Sequence, residues 1–554
     1  MTRSGDPVLS IRNLDVRTTA DVPKTILRGV DLDIAPGETL CVVGESGSGK
    51  SVTSLAVMGL LPPRSLALHG GSIRLLGEEI AHAGAARLRS LRATRMAMIF
   101  QEPMTALNPV IAVGPQIEEV LKAHSDLGAA ARRARVREMM EKVHLPDVDR
   151  VYGAFPHQLS GGQRQRIMIA MALIMQPQLL IADEPTTALD VTTQRQILSL
   201  IDELRREQGT AVLFITHDMG VVADIADRVV VMRAGAPVET GPVMQILEQP
   251  QADYTRELLR AVPALAPRPA RPERDPQVVL EAIDLTKRYA EKRMFRPARV
   301  TVAAEEVSFR LKRGRTLGIV GESGSGKSTV ARCVMRLVDP TSGSVRVNGH
   351  DISELGRSAL RPHRRRIQMV FQDPNRSLNP RIPVIDSIIE GPLNFGVPKA
   401  DAVTRAYELL ELVGLPSDAG KRHPHEFSGG QRQRIAIARA LAMDPEIIVA
   451  DEAVSALDVS VQAQVLKLLS DIQERLGVAI LFITHDLRVA AQICDDIVVM
   501  RKGCIVEEGA AGSVLSQPTQ AYTRALFEAA PGRHWDFPNF RPLTAMPASG
   551  AASA

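Results

Sequence analysis

A lysine, a serine and two carboxylates recur in this chain at spacings that suit chemistry on a phosphate. Gly44-Glu45-Ser46-Gly47-Ser48-Gly49-Lys50-Ser51 has the form G-x-x-x-x-G-K-S, and the same eight residues return at Gly321-Glu322-Ser323-Gly324-Ser325-Gly326-Lys327-Ser328. Glycines at those places let the backbone wrap so closely that successive N–H groups can point at phosphate oxygens. Lys50 and Lys327 are placed to reach the β- and γ-phosphates of a nucleotide, and the Ser51 and Ser328 hydroxyls to ligate Mg²⁺. Further along each half an apolar run ends in two acids, Leu180-Ile181-Ala182-Asp183-Glu184 and Ile448-Val449-Ala450-Asp451-Glu452. An Asp at the end of a buried strand can hold Mg²⁺ beside the loop serine, and the next carboxylate can then polarise a water. Phosphoryl transfer needs this kind of positioning and charge stabilisation more than covalent chemistry.

The elements around these residues are legible. A short apolar run precedes each loop (Leu40 to Val43; Leu317 to Val320) and an apolar helical pattern follows, so strand, turn and helix N-terminus form an anion site. The first half opens with strand patterns at 8–16 and 26–34. Met98-Ile99-Phe100-Gln101 comes next, then a basic helical stretch near 132–142. Leu159-Ser160-Gly161-Gly162-Gln163 opens an apolar helix, and the strand 211–216 runs into His217. The second half repeats this order. The loops are 277 residues apart and Gln101 and Gln372 271, whereas Ser160 and Ser428, Asp183 and Asp451, and His217 and His485 are each 268 apart. A constant offset over the last three predicts one fold, duplicated, with six extra residues in the first half around Pro62 to Gly71. A domain-sized period argues for tandem domains, not a solenoid.

The expected division is a first domain over 1–262, a Pro-rich, extended linker over 263–277, a second domain over 278–530 and a tail over 531–554. That tail reads as disordered apart from an anchor at Trp535 and Phe537. A formal charge of +4 on 554 residues gives no argument for nucleic acid. Cys41, Cys333, Cys494 and Cys504 have no C-x-x-C spacing and read as reduced packing cysteines. The N-terminus has no basic-then-apolar signal pattern. The longest uncharged candidate for a span, Ile167 to Ala182, falls short of the ~18–20 apolar residues a crossing needs. Work at a membrane would therefore be done from its surface or through partner subunits.

Together these motifs resemble the ATP-binding cassette (ABC) ATPases, over 8–530. Leu159-Ser160-Gly161-Gly162-Gln163 and Phe427-Ser428-Gly429-Gly430-Gln431 are similar to the family's signature, Gln101 and Gln372 to its Q-loop glutamines, Asp190 and Asp458 to its D-loop, and His217 and His485 to its switch histidine. The resemblance implies an α/β fold of two tandem P-loop NTPase domains. Each would have a mainly parallel core sheet, a small antiparallel β subdomain and a helical subdomain. It implies ATP and Mg²⁺ as ligands, the metal held by Ser51, Gln101 and Asp183 in one half and by Ser328, Gln372 and Asp451 in the other. Glu184 and Glu452 would be the general bases, and His217 and His485 would contact the γ-phosphate. The two halves would pack head to tail with ATP between them, Lys50 working with Ser428 and Gly430, and Lys327 with Ser160 and Gly162. A helix start bearing Ser-Gly-Gly offers N–H groups and a positive dipole end to a phosphate, which fits that arrangement. Two departures stand out. The proline after the glutamate is Pro185 in the first half but Ala453 in the second. An aromatic platform for adenine is suggested at Tyr289, with Phe295 an alternative, where the first half has Thr18.

Three features resemble the peptide/opine/nickel branch of bacterial ABC importers with both ATPases fused, including dipeptide and glutathione systems. They are the Leu-Asn-Pro after each Q-loop glutamine (107–109; 378–380), the Tyr-Thr-Arg-x-Leu near each half's end (Tyr254 to Leu258; Tyr522 to Leu526), and identical phosphate loops. That branch implies a peripheral ATPase on the cytoplasmic face of the inner membrane. It would drive two separate membrane permeases fed by a periplasmic binding protein, with no nucleic acid partner and, lacking cysteines beyond Cys504, no iron–sulfur cluster. The apolar residues after the glutamines (Val110, Ile111, Val113; Ile382, Val384, Ile385) suit either a docking groove or a local core. The alternative function is a soluble twin-cassette ATPase acting on ribosomes or DNA; the short proline-rich linker argues against it.

Overall fold

The computed structural model describes residues 6–543, apart from Ala188, Glu273, Arg274, Met294, Phe295 and Ala456. They form two compact units. The first comprises 1–262 together with the segment from Pro531 onward, and the second comprises Pro263–Ala530.

In the first unit, five parallel strands and one antiparallel edge strand make the central sheet. Their order is Met96–Ile99, Leu179–Asp183, Ala211–Ile215, Thr39–Val43, Arg228–Arg233, Ala236–Pro242. Strands such as Thr-Leu-Cys-Val-Val and Ala-Val-Leu-Phe-Ile are buried along their whole length, as parallel strands covered on both faces must be. Leu9–Thr18 instead buries Leu9, Ile11, Leu14 and Val16 in a near-alternating pattern. It pairs antiparallel with Thr25–Ile34 and Leu66–Leu75 in a second sheet. Helices Val113–His124, Ala129–Lys142 and Gly161–Leu173 pack on one another as a helical layer.

The second unit repeats the plan: Ile367–Val370, Ile447–Asp451, Ala479–Thr484, Thr316–Val320, Asp496–Arg501, Cys504–Ala510 in the central sheet, and Arg296–Lys312, Val278–Arg293, Ser342–Val347, His350–Asp351 in the antiparallel one. The length difference read from the offsets lies in these antiparallel sheets. The first half's extra residues lengthen a strand whose Leu66, Ala67 and Leu68 pair with Thr18, Arg17 and Val16. The second half instead extends its first two strands to 16 and 17 residues.

The linker and the tail are both held on the folded units. The linker has no helix or strand among its described residues, as its prolines dictate, yet it is anchored. Arg268 and Arg271 both reach Asp495, at 2.6 and 2.9 Å, and the Arg268 N–H donates to the Ala491 carbonyl. Residues 531–543 are not disordered. Trp535–Asp536 pairs with Arg541–Pro542, Phe537 is 2% exposed, and the Gly532 N–H donates to Asp224 at 3.0 Å. The Phe540 ring lies under the Arg260 guanidinium. An apolar anchor inside the tight turn Phe537–Asn539 outweighs the local Pro/Ala/Ser composition. The expected disorder of 544–554 falls outside the described residues. Pro263 and Pro531 are themselves 268 residues apart, so each half's last helix is followed by a segment that belongs to the other unit.

Candidate functional site

Each phosphate loop joins a buried strand to a helix, Lys50–Val57 or Lys327–Val334. Gly44 and Gly321 have φ of 149° and 151°, and a Cβ there would come within 2.2 and 2.3 Å of the Met232 and Met500 carbonyl oxygens, so only glycine fits. The Lys50 ammonium donates to the carbonyls of Gly44 and Glu45 at 2.7 and 2.9 Å. Lys327 does the same with Gly321 and Glu322, both at 2.7 Å. The buried Ser48 hydroxyl, inside the first loop, meets no hydrogen-bond partner among the described residues. A concave backbone with a lysine and an orphaned hydroxyl at its centre fits a phosphate chain.

The strand-end acids stand beside the loops. Ser51 donates to Asp183 Oδ1 at 3.0 Å, and Ser328 to Asp451 Oδ1 at 3.0 Å. Burial, opposed by the serine bond, raises the Asp183 and Asp451 carboxyls above their ordinary value. The next residue behaves oppositely. Burial pushes Glu184 up, but the His217 bond and charge, Thr187 and Lys50 outweigh it and hold the carboxyl below its ordinary value. Glu452 is held down in the same way by His485 and Lys327. Adjacent acids with opposed shifts are a pattern of division of labour. Glu184 and Glu452 sit at φ 46° and 49°, left-handed values that are strained for a glutamate. That turn swings each carboxylate out of strand register.

The structure gathers the predicted partners around those carboxylates. Gln101 Nε2 donates to Glu184 Oε2 at 2.9 Å and His217 Nδ1 lies 3.1 Å from Oε1; in the second half Gln372 is at 2.7 Å and His485 at 3.3 Å. Burial lowers the His485 pKa, but the bond to Glu452 outweighs it and raises it. The contacts to the glutamate differ between the halves. Thr187 donates to the Glu184 carboxylate at 2.9 Å, whereas the equivalent Ser455 donates to the Glu452 backbone carbonyl. The turn keeps its shape with Ala453 in place of Pro185.

Ser160 and Ser428 cap the helices Gly161–Leu173 and Gly429–Leu441, each in a reciprocal box with Gln163 or Gln431. A Cβ on Gly162 or Gly430 would meet Thr193 or Val461 at 2.6 and 2.1 Å, so the second signature glycine is needed for close helix packing. Asp190 accepts from the Thr193 N–H, and Asp458 stands at the matching helix start. Tyr289 lies on an antiparallel strand opposite Thr301, 39% exposed, with the Lys287 ammonium 5.1 Å from its ring. Phe295 lies outside the described residues. Leu-Asn-Pro has a structural explanation: Leu107 and Leu378 are buried, and Asn108 and Asn379 accept from the N–H two residues on. Val113 and Val384 belong to the helical core, while Val110 and Ile111 stay exposed. Sequence reasoning treated Tyr254 and Tyr522 only as markers; their hydroxyls in fact touch the phosphate loops.

Loop, paired acids, glutamine, signature helix and histidine, twice over, define a tandem ATP-binding cassette ATPase. The ABC transporter family profile matches residues 27–187 and 304–455, and the chain belongs to that family. Residues 238–297 match the oligopeptide/dipeptide transporter C-terminal region. The chain is 47% identical to the glutathione import ATP-binding protein GsiA of Escherichia coli strain K12 over 559 residues, covering 95% of this chain and 89% of that one. It is equally similar to the Shigella boydii protein of the same name. A solved dimer of the cassette MJ0796 with ADP and phosphate is 31% identical, with a TM-score of 0.38, over 42% of this chain and 98% of that one. Among the described residues no helix is long and apolar enough to cross a membrane.

Proposed function

We propose that the chain energises uptake of glutathione or short peptides from the cytoplasmic face of a bacterial inner membrane. It would drive two separate permease subunits supplied by a periplasmic binding protein. The observation that carries this reading is the 47% identity, along almost the whole chain, to proteins named for glutathione import.

Within the chain, two ATP sites would form between the halves, Lys50 facing Ser428 and Gly430, and Lys327 facing Ser160 and Gly162. Two things support this. Each signature helix has a capped N-terminus able to receive an anion. The halves also belong to one chain, which raises the effective concentration of one half at the other. Ser51, Asp183 and Gln101, with Ser328, Asp451 and Gln372, supply the hard oxygen donors that Mg²⁺ prefers. When bound, the ion neutralises charge on the β- and γ-phosphates. Glu184 and Glu452, kept ionised, would orient and deprotonate the attacking water; His217 and His485 orient those carboxylates and would contact the γ-phosphate.

Uptake of labelled glutathione and of a labelled dipeptide, in cells lacking the chain, tests the proposal. Wild type should restore uptake of at least one, and the Glu184→Gln/Glu452→Gln double variant neither. Undiminished uptake without the chain, with the protein sedimenting on ribosomes, would replace this reading by the alternative.

A further inference from the structure

The first variable residue of each phosphate loop is tied to a tyrosine far away in sequence. The Glu45 N–H donates to the Tyr254 hydroxyl at 3.3 Å, across 209 residues, and the Glu322 N–H donates to Tyr522 at 3.3 Å, across 200. Each tyrosine stands in the first turn of its half's last helix, Asp253–Ala261 or Ala521–Ala529. Its ring is fixed in turn. The Arg233 guanidinium lies 4.7 Å from the Tyr254 ring centre and Arg501 lies 4.8 Å from that of Tyr522. Those arginines end the strands whose Met232 and Met500 carbonyls back onto Gly44 and Gly321. Burial, with the contact to the Glu322 side chain, pushes the Tyr522 phenol up to about 12, so it stays a neutral hydroxyl.

We propose that Tyr254 and Tyr522 are positioning residues for nucleotide binding, each holding its phosphate loop in the shape that receives the phosphates. Glu45 is held from two sides, its N–H by Tyr254 and its carbonyl by Lys50. A phosphate that draws the lysine away leaves the carbonyl only the Ser48 N–H, and the tyrosine bond then holds the other side of the residue in place. The same bond turns the Glu45 N–H outward and leaves the N–H groups nearer the helix for the anion. Without the hydroxyl, the loop would have to be ordered by the nucleotide itself, at a cost in affinity. The inference rests on nucleotide binding alone. It stands or falls separately from the imported molecule and from the pairing of the halves.

The test uses the full chain with Lys327→Ala, so that a fluorescent ADP analogue reports the first loop. Tyr254→Phe keeps the ring under Arg233 and removes only the oxygen. Its Kd for the analogue should rise about fivefold, the size of one lost hydrogen bond, with the thermal midpoint unmoved. Tyr522→Phe in a Lys50→Ala chain is the independent copy and should do the same. In the otherwise native chain, Tyr254→Phe/Tyr522→Phe should raise KM for ATP with kcat within about twofold. Unchanged Kd in both copies, or weakening only in step with a lowered midpoint, would overturn the assignment.

Discussion

His217 Nδ1 lies 3.1 Å from Glu184 Oε1, on a carboxylate whose other oxygen already accepts from Gln101. Burial alone would push the pKa of this glutamate up, and the histidine is the largest of the contributions that hold it down. In the proposed role as base, this glutamate works when deprotonated. Removing the histidine takes away the largest contribution that opposes burial, so the acid limb of the ATPase pH profile should move to higher pH. His217→Ala/His485→Ala should show that shift together with a loss of about 10²-fold or more near neutral pH. A pH–rate profile checks it; a loss with no movement of the acid limb would confine the histidines to the phosphate.

Asp495 anchors the linker. Its side chain is 2% exposed and accepts from Arg271 and the Thr316 N–H, with Arg268 at 2.6 Å. Burial opposes ionisation, but these partners outweigh it and depress the carboxyl. A depressed folded pKa contributes stability that is fully present above the unfolded value of about 3.9 and is lost as pH falls through the lower, folded value. Asp495→Asn should cost about 3 kcal/mol at pH 7, because it leaves two half-buried arginines uncompensated. The gap from wild type should narrow below about pH 4. Urea midpoints at several pH values measure it.

Phe537 should behave as a core residue of the first unit. Phe537→Ala should destabilise that unit by about 3 kcal/mol, at the low end for buried phenylalanines because the hairpin carrying it is short. Truncation after Ala530 should have a similar effect. Hydrogen exchange over 219–225 and 253–261 reads it directly, since these helices hold Gly532 and Phe540. Unchanged protection there would show that the tail is dispensable.

The tandem fold is legible in the sequence, as are the side chains gathered around each strand-end pair of acids, because phosphate chemistry dictates residue types and spacings and the duplication repeats each one. Lys50, Asp183, Glu184, Gln101 and His217 stand within one site as the motifs imply. What the sequence hides depends on tertiary distance. Nothing local to Tyr254 announces a partner at Glu45, although its return at Tyr522 in matching context is a usable signal. The anchor at Trp535 and Phe537 is legible in the tail's sequence, but the holding of Gly532 by Asp224 and of Phe540 by Arg260 is not, because those partners are far away in the chain. On sequence alone Val113 and Val384 suit either a docking groove or a local core; the helices around them bury them.

The pairing of the halves is tested most directly by cysteine cross-linking in a chain with Cys504→Ser, Glu184→Gln and Glu452→Gln, so that ATP is bound but not consumed. Ser46→Cys with Ser428→Cys should join through a short bifunctional maleimide only when ATP is present, while Ser46→Cys with Ser160→Cys should not. Cross-linking of Ser46→Cys to Ser160→Cys, with none to Ser428→Cys at any ATP concentration, would contradict composite sites.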